Sequence, residues 1–381
     1  MSYALVVGLM GVVLAQPASP AAEQRHEFDE QLMGMSFRIV VYSADPDTAN
    51  RAARRAFERI QQLNDVLSDY QEDSELSLLG KTSGSGTAVP LSHDLERVLR
   101  AACNLADQTK GAFDPTVGPL TRLWRRTRRS RQLPQPEVLA KARERVGHRH
   151  LELAADRPVA ELKVAGMQLD LGGIAVGYAI DRAMETLAAE GIRSALIDGS
   201  GDILVSAPPP GSEGWRIGVA PLEPEAPPSQ YLLLKHAAVT TSGDAFQYVE
   251  IGGQRYSHIV DPQTGLGLTS QLSATVIASD CTQADSLATA VCVLGTKAGL
   301  ELIANTPKSA ALVMQRTARG TETATSPDWR RWVLPAPAPG EARGKPPSQV
   351  PNRSPRRSPS QSPVPAPALE PVRPPSPGRQ P

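Results

Sequence analysis

L169-D-L-G-G-I-A-V-G-Y-A-I-D181 passes from an apolar segment through two glycines into a helical pattern, and its glycine spacing separates two fold classes. A dinucleotide-binding βαβ turn carries G-x-G-x-x-G, and a P-loop carries a lysine just after its last glycine. Here the spacing is G-G-x-x-x-G and no lysine follows. Alternation predicts a strand over Val164–Leu171, broken at Gly172-Gly173. A helix then places Ile180, Ala183, Met184, Leu187 and Ala188 on one face and stops at Gly191. The two glycines read in two ways. Small residues before a helix N-terminus let backbone N–H groups approach a phosphate, or they let a strand pack closely on a helix.

Outward from this stretch, strands and helices follow one another without a strict βαβ rhythm. Arg38–Tyr42 predicts a strand, Asp45 opens a helix with Ala49, Ala52, Ala53, Ala56, Ile60 and Leu63 on one face, and Ser92 caps another that stops near Gly111. Short strands are expected at 194–198, 201–206, 215–220, 270–279 and 311–315, a hairpin at Phe246–Val260 around Gly252-Gly253, and a helix from Asp285 to Gly295. The expected fold class is α+β, with at least one mixed sheet and flanking helices. Arg122–Arg131 holds six arginines in ten residues, but it has no interleaved aromatic platform beyond Trp124 and the chain is neutral overall, so nucleic-acid binding is not expected. A solvated loop or helix end fits that run.

The ends set the domain limits. Residues 1–25 hold an apolar run from Ala4 to Ala15, too short to span a bilayer, and a V-L-A site; they are expected to be a signal peptide and short linker. Residues 335–381 hold 16 of the 35 prolines with seven basic and two acidic residues, a composition expected of a disordered tail in peripheral contact with membrane or cell wall. The folded domain is therefore expected at 26–334, on an exported chain. Cys103, Cys281 and Cys292 give neither a disulfide framework nor a zinc spacing.

Two constellations carry candidate chemistry. Asp285 and Thr289 lie four residues apart on one helix face. Thr282 and Asp285 form T-x-x-D, a capping pattern, whereas Asp285 with Thr289 supplies hard oxygen ligands suited to Mg²⁺. In Tyr256–Gly265, the D-P-Q-T-G turn fixes a polar rim beside His258, which is either a hydrogen-bonded strand residue or a proton acceptor.

The order M33-G-M, D69-Y-Q-E-D-S-E-L-S77, G111-A-F-D-P-T-V-G-P-L120, D170-L-G-G-I-A-V-G-Y-A-I-D181, S242-G-D, Y256-S-H-I-V-D-P-Q-T-G265, A284-D-S-L-A-T-A290 resembles the FAD:protein FMN transferase (ApbE) family from about residue 28 to 315. The resemblance implies a T-fold-related α+β domain at the periplasmic or outer face of the inner membrane. It also implies FAD as substrate, Mg²⁺ as cofactor, transfer of FMN to a Thr or Ser of flavoprotein subunits of membrane redox complexes, and release of AMP. By the same resemblance Met33, Tyr70, Ala112, Phe113, Asp114, Gly172, Tyr178 and His258 contact the flavin nucleotide. Asp285, Thr289 and the Ala175 carbonyl hold the metal, and His258 assists deprotonation of the acceptor hydroxyl.

Val176 stands where the family often has Lys or Glu, Gly80 where it has Asn, and Met35 where it has Thr. These departures keep two other readings in view: a Mg²⁺-dependent pyrophosphatase giving FMN and AMP, and a non-catalytic exported flavin-binding protein.

Overall fold

The computed structural model describes residues 22–222, 226–243 and 247–335. The apolar N-terminal run, the tail beyond Pro335, and Asp244 and Phe246 of the quoted motifs lie outside the described residues. In chain order the first elements are β1 (Gln24–Leu32), β2 (Met35–Ser43), α1 (Pro46–Leu67), α2 (Glu75–Lys81), β3 (Val89–Pro90), α3 (His93–Gln108), α4 (Gly118–Ser130) and α5 (Pro136–Arg143). There follow β4 (Leu151–Leu153), β5 (Val159–Leu162), α6 (Ala175–Ala189), β6 (Ser194–Gly199), β7 (Asp202–Val205), β8 (Trp215–Gly218) and β9 (Tyr231–Leu234). The last are β10 (Ala237–Gly243), β11 (Tyr248–Ile251), β12 (Gln254–Ser257), β13 (Leu272–Ala278), α7 (Cys281–Ala304), β14 (Ala310–Thr317) and β15 (Gly320–Thr325). Strand β1 takes in Gln24 and Arg25, which the sequence reading assigned to the linker.

The α+β class holds. One sheet of eight strands, in the order β1-β2-β6-β7-β10-β13-β14-β15, forms the centre. Every pairing in it is antiparallel, so the mixed sheet expected from the sequence is replaced by an antiparallel one with an isolated parallel bridge, Val117 to Gln168, outside it. Both faces of the sheet are covered. On one, Phe37, Ile39, Val41, Ile197, Ala274 and Val276 pack against α1, α6 and α7. On the other, Val40, Leu196, Ile203, Val239 and Leu312 pack against Trp215, Leu232 and Trp329. Burial on two faces explains why β6 and β13 are buried along their whole length.

Three local readings change. The strand expected at Val164–Leu171 is a turn followed by an extended segment: Gly166 has φ +77° and the Met167 N–H donates to the Val164 carbonyl at 3.1 Å. Met167, Leu169 and Leu171 are all buried, so the alternation reports burial of one side without a ladder. The arginine-rich run is the outer part of α4, whose inner stripe is Leu120, Leu123, Trp124 and Thr127. The helix expected over 285–295 begins at Cys281 and breaks at Gly295 (φ +76°, ψ 175°) before a second stretch runs to Ala304. Helix α7 is long and apolar enough to cross a membrane, but its buried residues pack inside the protein against α6, β10 and β13.

Helices α6 and α7 approach closely at Gly177, where an added Cβ would lie 2.3 Å from the Cys281 carbonyl oxygen and 2.9 Å from Asp285 Cβ. No rotamer relieves contact with backbone, so Gly177→Ala is expected to push the helices apart and cost about 1–3 kcal/mol. Chemical denaturation monitored by circular dichroism checks this; an unchanged midpoint refutes the contact.

Candidate functional site

Thr282 is not the cap of α7. Asp280 is, its side chain accepting from the Gln283 N–H at 2.9 Å. Thr282 lies within the first turn and donates its hydroxyl to Asp181 of α6. The two carboxylates of the helix pair cap each other's helix. Asp181 accepts from the N–H groups of Cys281 (2.8 Å) and Thr282 (2.9 Å), the first two residues of α7. Asp285 Oδ2 accepts from the Gly177 N–H at 3.1 Å, in the first turn of α6, whose own N-cap residue Ile174 gives no side-chain bond. Buried helix ends require partners for their free N–H groups, and each helix finds them on its neighbour. Asp181 was the last residue of the stretch that decided the fold; its spacing of four from Gly177 places both on the face turned to α7.

The metal-ligand set is brought together in part. Asp285 is buried, and its Oδ1 accepts no hydrogen bond among the described residues. Thr289, one turn on, lies 3.3 Å from the Ser242 hydroxyl on β10. An added Cβ on Gly173 would lie 3.0 Å from Thr289 Oγ1 and 3.3 Å from the Phe113 ring, so the turn before α6 rests directly on this hydroxyl. Ala175 is the first residue of α6, two residues from both contacts. One carboxylate, a hydroxyl and a backbone carbonyl are all hard oxygen donors, which fits Mg²⁺ and not a soft metal. Among the described residues no group of three or more His, Cys, Asp or Glu side chains could hold a metal, so any cation here depends on neutral protein oxygens and on substrate.

The expected flavin contacts divide. Phe113 is buried with its N–H held by Thr109 Oγ1 at 3.1 Å, beside the equally buried Ala112. Tyr70 is 77% exposed and carries the Arg125 guanidinium 4.0 Å from its ring centre. Arg125 pairs with Asp69 (2.6 Å) and with Asp170 Oδ2 (3.2 Å), while Asp170 Oδ1 accepts from the Gly172 N–H at 2.8 Å. Tyr70 is thereby tied to the glycine turn through Arg125, a residue the sequence reading left among solvated cations. Met33 (φ +50°) forms the β1–β2 turn with Gly34 and is half-buried against the helical core.

Other residues are turned elsewhere. Asp114 is occupied by the Thr116 N–H (2.8 Å), its hydroxyl (2.6 Å) and the His148 N–H (3.0 Å), which makes it a loop anchor. The Tyr178 hydroxyl donates to Asp94 on α3 at 2.8 Å, on a face of α6 distinct from that of Gly177, and burial pushes its pKa up to about 12. Val176 is buried against the core. His258 follows β12, where its backbone N–H and Nδ1 both reach the Gln247 carbonyl, at 3.0 and 3.2 Å. Desolvation lowers its pKa to about 4, so it is neutral at pH 7. No contact among the described residues joins His258 to Thr289. Ser242 and Arg125, which the site reading missed, come from segments far apart in sequence; the quoted S242-G-D was the one available signal.

The chain is similar in sequence and in fold to known proteins. Residues 33–313 match the model of the ApbE family. A FAD:protein FMN transferase of Treponema pallidum is 33% identical over 300 residues, covering 74% of this chain and 82% of that protein. One of Vibrio cholerae is 30% identical over 301 residues, covering 77% and 89%. The apo crystal structure of Pseudomonas stutzeri flavinyl transferase ApbE superposes with a TM-score of 0.73 at 29% identity, covering 82% of this chain and 97% of that one.

Burial dominates the acid cluster around the helix pair. It raises Asp181 to about 6, Asp198 to about 6 and Asp285 to about 7, against an ordinary value near 4. In this range the folded state holds protons that the unfolded chain has released. Their contribution to stability is therefore full in acid and is lost as pH rises from about 4 through 6–7. The melting temperature of metal-free protein is expected to fall between about pH 4.5 and 7.5, and Asp198→Asn to flatten that fall, as calorimetry across pH will show; a flat wild-type profile contradicts the assignment.

Proposed function

The chain belongs to the ApbE family and is a transferase enzyme of the flavin-transferase kind, and from that premise we propose that it moves FMN from FAD to a Thr or Ser hydroxyl of a partner flavoprotein. The acceptor oxygen would attack the phosphorus on the FMN side of the diphosphate, forming a phosphoester. The bond to the bridging oxygen breaks, and AMP leaves with it. The observation that carries this reading is the meeting of Asp285, Thr289 and the Gly172–Ala175 turn across the α6–α7 contact.

Each residue has a part that follows from its surroundings. Asp285 offers Oδ1 to a cation while Oδ2 stays on the Gly177 N–H. Thr289 offers a hydroxyl oxygen, oriented by Ser242, and Ala175 a carbonyl. Bound there, Mg²⁺ would supply neutralisation of diphosphate charge in the transition state. Phe113 closes the apolar side, and Tyr70 with Arg125 borders the turn. His258, neutral and with Nδ1 held by the Gln247 carbonyl, keeps Nε2 as a weak proton acceptor for the hydroxyl. The partner class proposed is the flavoprotein subunits of membrane redox complexes, and the proposed location is the periplasm or outer face of the inner membrane, supported by the apolar run at Ala4–Ala15.

Incubation with FAD, Mg²⁺ and a threonine-bearing acceptor flavoprotein is expected to raise the acceptor mass by one FMN with stoichiometric AMP. Free FMN with AMP would favour the pyrophosphatase reading, and intact bound FAD the binding-protein reading. Asp285→Asn is expected to reduce transfer at least a hundredfold and to abolish the rise in melting temperature that Mg²⁺ gives the wild type. Normal transfer by this variant would remove Asp285 from the metal site.

A further inference from the structure

A cleft of about 760 Å³ opens between α4 and α5, beside Tyr70 and Arg125. Four exposed cations on its walls, Arg126, Arg129, Lys141 and Arg145, form no ion pair among the described residues. The one acidic residue in the lining, Asp69, is already held by Arg125 at 2.6 Å. A concave surface with this surplus of one sign attracts a polyanion and orients it.

We propose that this cleft docks an acidic polypeptide segment of the flavin acceptor; the inference rests on the flavin-transfer reading. The cleft adjoins the reacting region, since Arg125 on its wall reaches Asp170, which holds the Gly172 N–H of the glycine turn. A protein that presents a hydroxyl at that turn must lay neighbouring chain over adjacent surface, and this is strongly charged surface that borders it. FAD does not account for the charge, because its diphosphate belongs with Asp285 and Thr289. The proline-rich tail does not either, because its seven basic and two acidic residues give it the same sign as the cleft. Single-stranded nucleic acid is disfavoured because successive bases need a row of aromatic platforms, and the lining holds a single aromatic side chain, Tyr70, one face of which already carries Arg125. A membrane surface would suit a convex face better than a cleft.

The test compares the wild type with the triple variant Arg126→Glu, Arg129→Glu, Lys141→Glu and its glutamine counterpart, all in exposed positions. A fluorescein-labelled Asp/Glu-rich peptide is expected to bind the wild type and to lose at least tenfold in affinity with either variant, while its Asn/Gln version binds none. With an acceptor flavoprotein, KM is expected to rise about tenfold at low salt with kcat and FAD affinity unchanged, and the difference to shrink at high ionic strength. Absence of peptide binding to the wild type, or an unchanged acceptor KM, overturns the proposal. So does a parallel loss of FAD affinity, which would give the cleft to the nucleotide, or a loss confined to phosphatidylglycerol vesicles or RNA. Peptide binding by a wild type that transfers no FMN would instead overturn the flavin-transfer reading and leave the acidic-segment site standing.

Discussion

Two buried carboxylates, each capping the helix that carries the other, set the geometry on which the site depends. Asp181 on α6 takes the first N–H groups of α7, and Asp285 on α7 takes an N–H from the first turn of α6. An aspartate is short, so both bonds close only if the helix backbones come near enough, and Gly177 permits that approach. Once the two helix starts are locked side by side, Thr289 falls against Gly173 one turn further on. The site is thus a by-product of helix packing, and its precision comes from buried aspartate side chains bonded to helix-end N–H groups.

The elements that the sequence made legible were those whose signal is local. The hairpin around Gly252-Gly253 and the helix from Asp45 follow from turn chemistry, capping and period, and the structure has them. Asp285 and Thr289 share a helix face whatever the tertiary fold, so their meeting could be anticipated. The cap of α7 could not be, because S279-D-C-T282 contains three good N-cap residues, Ser279, Asp280 and Thr282, close together. The choice went to Asp280 because Asp181, on a helix about 100 residues earlier, claims the Thr282 hydroxyl and N–H. At Val164–Leu171 the failure has the opposite cause. Alternating burial is satisfied by a segment lying on the core, and no local feature says whether a neighbouring strand will pair with it.

Two of the candidate contacts share one feature. Asp114 and Tyr178 have polar atoms already bonded, to Thr116 and His148 in one case and to Asp94 in the other. Residue type alone does not reveal whether a carboxylate or phenol is spent on holding a loop. Arg125 shows the converse. It was hidden in a run of arginines, and only the convergence on it of Asp69 and Tyr70 from one segment and Asp170 from another distinguishes it from its neighbours.

The neutral total charge conceals a separation that burial itself enforces. Carboxylates near the helix pair can be buried because they neutralise by taking up a proton, and their raised pKa values record that escape. Guanidinium groups have no such escape at accessible pH, so they are either paired, as Arg125 is, or kept in solvent, as Arg126 and Arg129 are. The acid side of the site therefore faces inward and gains from a cation, while its basic side faces outward. The proposed reaction would break a diphosphate inside and accept a macromolecule outside, and it needs charge arranged in that order. Asp170, bonded at once to the Gly172 N–H and to Arg125, is the point at which the two sides are mechanically joined.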